Sequence, residues 1–96
     1  MAEQNQRVKL SKVKTWEDVE YDALFLDLEG LTGNDLLQAE KEYASEGGTA
    51  PVVELNKGYL SLVAAKAAKV PVELIRDLPA KDFSQVTIMV QNFLLG

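Results

Sequence analysis

Residues 24–37 read Leu-Phe-Leu-Asp-Leu-Glu-Gly-Leu-Thr-Gly-Asn-Asp-Leu-Leu, and the apolar period changes inside them. Leu24, Leu26 and Leu28 alternate with Phe25 and Asp27, the spacing of a half-buried strand. Beyond Gly30 and Gly33 the spacing becomes helical, with Leu36, Leu37, Tyr43 and Ala44 expected on one side. Thr32 and Asp35 stand three apart, as an N-cap and an N3 acid do when they satisfy the orphan amides of a first turn. Asp35 would also face the positive end of the helix dipole. This stretch hands a strand directly to a capped helix, so it is a scaffold junction and holds no reagent.

Upstream, Val8, Leu10 and Val13 alternate loosely from Arg7 to Trp16, and Val19 to Leu28 alternates more clearly. Glu17-Asp18 would join the two as a tight turn, although it lacks the Asn-Gly or Asp-Gly signal. A lone hairpin is marginal in water, so its apolar face must lie on helices. Residues 1–6, polar and without period, are expected to be disordered. Residues 7–96 then make one domain.

Downstream, the first helix is predicted over Gly33–Ser45, closed by Glu46-Gly47-Gly48 with a glycine in the left-handed cap conformation. Gly47–Pro51 reads as a connector, and Val52, Val53 and Leu55 as an extended lead into the next helix. Asn56 is the expected N-cap of a second helix over Lys57–Lys69, with apolar positions Leu55, Tyr59, Leu62, Val63 and Val70. Ala64, Ala65, Ala67 and Ala68 fill most of its remaining circumference, which suits a central helix approached closely by its neighbours. Val70-Pro71 ends it, because a residue before proline is pushed out of the helical region. Pro71 opens a short helix through Asp77, and Leu78-Pro79 opens a last one over Ala80–Leu95. The main stripe of that helix is Phe83, Val86, Thr87, Val90, Phe93 and Leu94. The predicted fold class is α+β: an N-terminal β-hairpin packed on a small bundle of three to four helices.

Two charges fall inside apolar arcs, Glu40 in the first helix and Lys66 in the second. Either both snorkel to the rim, or the helices face each other and the two pair. Ile88 and Leu95 lie seven apart on a side of the last helix away from its main stripe, with Met89 at that stripe's far edge. Either the hairpin covers them or they form an exposed strip for a partner.

Composition removes whole classes of chemistry. The 96 residues contain no cysteine and no histidine, so disulfides, thiolate zinc sites, thiol nucleophiles and the usual imidazole bases are absent. No apolar run approaches a membrane span, and the polar N-terminus lacks the core of an export signal. The net charge of −5 is uneven: residues 17–46 hold ten acids against Lys41, whereas residues 1–14 hold Arg7, Lys9, Lys12 and Lys14 against Glu3. An acidic middle is poor material for a phosphate backbone, so no nucleic-acid partner is expected. Asp27, Glu29, Asn34 and Asp35 miss calcium-loop spacing, since Gln38 holds the place of the closing glutamate. Gly30 and Gly33 lack the lysine of a phosphate loop. Ser61 and Ser84 have no base nearby in sequence. No catalytic, cofactor or metal residue is assigned, and an enzyme is not expected. Residues 65–75 resemble a helix-turn-helix only in outline, because the second element offers Arg76 and Lys81 beside Glu73, Asp77 and Asp82.

From Val8 onward the order of signals resembles the small tail assembly chaperones of long-tailed bacteriophages, in the Mu-like and P2-like prophage group. The similarity runs through the basic first strand, Leu26-Asp27-Leu28-Glu29-Gly30-Leu31-Thr32-Gly33-Asn34-Asp35-Leu36, and the Ala64-Ala65-Lys66 helix. It continues in Val70-Pro71-Val72-Glu73-Leu74, Leu78-Pro79-Ala80-Lys81-Asp82-Phe83 and Val90-Gln91-Asn92-Phe93-Leu94. The resemblance implies a non-enzymatic protein of the host bacterial cytoplasm that coats the tape measure protein and is absent from the finished particle. It also implies a longer, frameshifted form reaching the tail tube protein, with Phe93-Leu94-Leu95-Gly96 compatible with the end of the short form. On this expectation Ile88, Met89 and Leu95 contribute to the partner-binding strip, and self-association is left open. The competing expectation is an acidic adaptor or inhibitor from a mobile element.

Overall fold

The computed structural model describes residues 5–48 and 56–96. An antiparallel hairpin of β1 (Asn5–Trp16) and β2 (Val19–Asp27) is followed by α1 (Gly33–Ser45), α2 (Lys57–Ala68), α3 (Val72–Arg76) and α4 (Ala80–Leu95). The α+β architecture expected from the alternation and the helical spacings is present. β1 starts earlier than the tail expected to be disordered: Asn5 and Gln6 pair with Asp27 and Leu26. Residues 1–4, and residues 49–55 with most of the expected connector and the run Val52–Leu55, lie outside the described residues.

Two residues, Glu17 and Asp18, turn the hairpin, with φ of 49° and 69°. Successive left-handed residues match the twist of the strands they join, which is why such turns favour Asn-Gly. Here two ordinary side chains bear the cost. Replacing Glu17-Asp18 by Asn-Gly should therefore raise the unfolding free energy by about 1 kcal/mol. Urea denaturation followed by the single tryptophan, Trp16, measures this; an unchanged midpoint would refute the strain.

Val8, Leu10, Leu24, Leu26 and Leu28 are buried, so one face of the hairpin lies on the helices, β1 against α4 and β2 against α2. The pairing slips midway. Lys9 opposes Ala23 but Lys14 opposes Tyr21, so Leu10–Val13 stand against Asp22 alone. This long bulge is held from the helical layer. The Asp82 carboxylate, only 1% exposed, accepts from the Ser11 amide at 3.1 and 3.2 Å and from its hydroxyl at 2.9 Å. Further along, the Lys14 ammonium pairs with Asp77 at the end of α3.

The capping box at Thr32 and Asp35 closes from both sides, and α1 ends as expected. Gly47 has φ +86°, its amide reaches Ala44 and that of Gly48 reaches Tyr43, a Schellman closure. The phase of α1 differs from expectation. Ala39 is fully buried between half-buried Leu36 and Tyr43, while Leu37, Glu40 and Ala44 are exposed. The core face is thus turned by about one residue, roughly 100°. The cause is close approach. Alanine at the contact lets α1 settle on α2, where Gly58 leaves room for the Tyr43 ring; a Cβ there would lie 2.9 Å from it.

With that rotation Glu40 does not meet Lys66. Lys66 pairs instead with Glu42 at 3.6 Å, both partly exposed. α2 is buried from Tyr59 through Ala65 and again at Ala67, touching α1, α3, α4 and β2. It is the central element its alanines predict. Asn56 caps it through the amides of Gly58 and Tyr59. Lys69 closes it in the left-handed region, so Ala68 is its last helical residue. Pro71 and Pro79 serve as N-caps of α3 and α4, one place earlier than the first helical turn. Among the described residues no helix is long and apolar enough to cross a membrane.

Candidate functional site

α4 presents two different sides. Val86, Thr87 and Val90 are buried, with Phe83, Phe93 and Leu94 partly so, as its main stripe predicts. The Thr87 hydroxyl donates to the Phe83 and Ser84 carbonyls and accepts from the Lys57 ammonium at 3.1 Å, so this buried polar group is satisfied. On the other side Ile88 is 50% exposed and Leu95 57%. The hairpin leaves both uncovered. They stand two turns apart, about 10 Å along the helix, with exposed Asn92 between them. Met89 is brought less fully to this strip: it is half-buried and packs against the core. At the C-terminal end an open hollow of about 580 Å³ is lined by Glu29, Asn92, Phe93 and Gly96.

Phe25 (60% exposed), Leu37 (63%), Val13 and Val19 are also exposed. Phe25 was legible, because it alternates with buried Leu24 and Leu26. Leu37 was not, since its exposure follows from the rotation of α1.

A second depression, about 370 Å³, lies between α1, α2 and α3 over Leu62, Ala65, Val70 and Val72. Charged pairs border it: Glu42 with Lys66, and Glu46 with Arg76, whose guanidinium makes two bonds of 3.0 Å to that carboxylate. Arg76 also donates to Ser61 at 3.0 Å and to the Gly58 carbonyl. Ser61, fully buried, donates back to Gly58 at 2.7 Å, so its hydroxyl is occupied in joining helices. The Asp27 carboxylate accepts from the Gly30 amide and lies 3.9 Å from Lys69; Asp35 is taken up by the α1 cap. Among the described residues no three acidic groups converge as metal ligands.

In α3, five residues long, Leu74 and Ile75 are buried, and its one basic head group, Arg76, is engaged with Glu46. That leaves little for reading a DNA groove. The arrangement offers apolar contact areas on an acidic body. Comparison with protein-family models, with curated proteins and with solved structures finds no match to this chain.

Proposed function

We propose that this protein is a tail assembly chaperone of a long-tailed bacteriophage or prophage, covering the tape measure protein in the host cytoplasm until tube subunits replace it. The observation that carries the reading is the uncovered Ile88–Leu95 strip on α4. It supports the role that the order of sequence signals implies. A tape measure is a long helix whose apolar stripe aggregates when bare. A small domain with one apolar strip can cover it in many weak, repeated contacts. The ten acids of residues 17–46 would keep the coated complex dispersed. Absence from the finished particle, and a longer form reaching the tail tube protein, belong to the same proposal.

Substituting Ile88 and Leu95 by aspartate tests it. Both side chains are at least half exposed, so the thermal midpoint should stay within a few degrees of wild type. Co-purification with a co-expressed tape measure protein should be lost. Retained co-purification by the folded variant would refute the strip as the contact surface.

A further inference from the structure

The outer face of the hairpin carries a second pattern, on the opposite side of the sheet from α4. Arg7 lies directly across from Phe25, and Lys9 across from Ala23. Strand alternation puts these four side chains on the face away from buried Val8, Leu24 and Leu26. β1 therefore lays a cationic row beside the apolar row of β2. Glu20 and Asp22 have the other parity; Asp27 shares that of Phe25, but its carboxylate is turned to the Gly30 amide and to Lys69 at the end of the strand.

The cations are unclaimed. Among the described residues the ion pairs use Lys14, Lys66, Lys69 and Arg76, and neither Arg7 nor Lys9 joins one, although the chain carries net charge −5. Phe25, 60% exposed, is a large apolar group left in water beside them. Two strands about 4.8 Å apart make a strip about as wide as one helix. One helix lying along the hairpin would cover all four of these side chains.

We propose that this face docks an amphipathic helix of a partner polypeptide, with its apolar stripe on Phe25 and Ala23 and flanking acids on Arg7 and Lys9. The surface is separate from the α4 strip and does not depend on the chaperone reading. It would let one small domain hold two segments at once.

The test uses the full chain and a synthetic helical peptide with one leucine stripe flanked by glutamate. The control is the same peptide with lysine flanks. Amide shift mapping should place the glutamate peptide on residues 7–9 and 23–25, with affinity falling as salt rises. R7E/K9E should weaken it by more than about tenfold and F25S by roughly tenfold, a scale usual for a central aromatic anchor. All three side chains are exposed, so the variants should retain the wild-type amide spectrum. Equal binding of the lysine peptide, shifts confined to α4, or equal competition by unstructured polyglutamate would each overturn the proposal. So would self-association of the chain, abolished by R7E/K9E, in the absence of peptide.

Discussion

Asp82→Ala should lower the unfolding free energy by about 3 kcal/mol, a large part of the stability of a domain this size. The carboxylate sits at the third residue of α4, where the first-turn amides have no intrahelical partners and the dipole favours negative charge. Pro79 provides no side-chain cap, so α4 meets the sheet through this acid instead. Its three contacts to Ser11 fasten the one part of β1 that has no regular partner strand. Alanine would strand the Ser11 amide and free the bulge. Asparagine keeps one acceptor oxygen for that amide and should cost about 1 kcal/mol, as should Ser11→Ala, which removes only the hydroxyl donor. Urea denaturation read by Trp16 gives all three values. Faster amide exchange from Lys12 to Trp16 in Asp82→Ala should accompany the loss. An alanine variant within about 0.5 kcal/mol of wild type would show that the contact does not hold the bulge.

Ala64→Leu should cost about 2–3 kcal/mol, because there is no free side of α2 for the added carbons. Ala64 is fully buried on a helix that meets three other helices and a strand. Relief requires α2 to move from several neighbours together, and close-packed interiors yield poorly to that. Ala44→Leu is the matched control. Ala44 belongs to the apolar arc expected for α1 but is exposed in the structure, so leucine there should change stability by less than about 0.5 kcal/mol. The pair of measurements tests the phase of α1 as well as the centrality of α2. A large loss at Ala44 with none at Ala64 would reverse both assignments.

Most element boundaries were legible because their causes are local. Thr32 and Asp35 cap within one turn, Gly47 supplies the left-handed residue that ends α1, and Pro71 and Pro79 set the starts of α3 and α4. The same holds for the alternation of Leu24, Leu26 and Leu28, which decides which face of β2 is buried. The seven-residue spacing of Ile88 and Leu95 likewise placed them on one side of α4 from sequence.

Other features depend on partners distant in the chain. Alanine marks close approach without naming the neighbour, so the rotation of α1, the exposure of Leu37 and the pairing of Lys66 with Glu42 were not decidable from periodicity. Asp82 reads as one more surface acid until Ser11, 71 residues away, is brought against it. Whether Ile88 and Leu95 meet water was likewise set by where the hairpin comes to rest. Amino-acid order alone determined which segments are strand or helix, because dihedral preference, capping and apolar period act within a few residues. Only the folded arrangement decided which apolar side chains remain outside and which charges are held within, because burial is a property of the neighbours that long-range packing assembles.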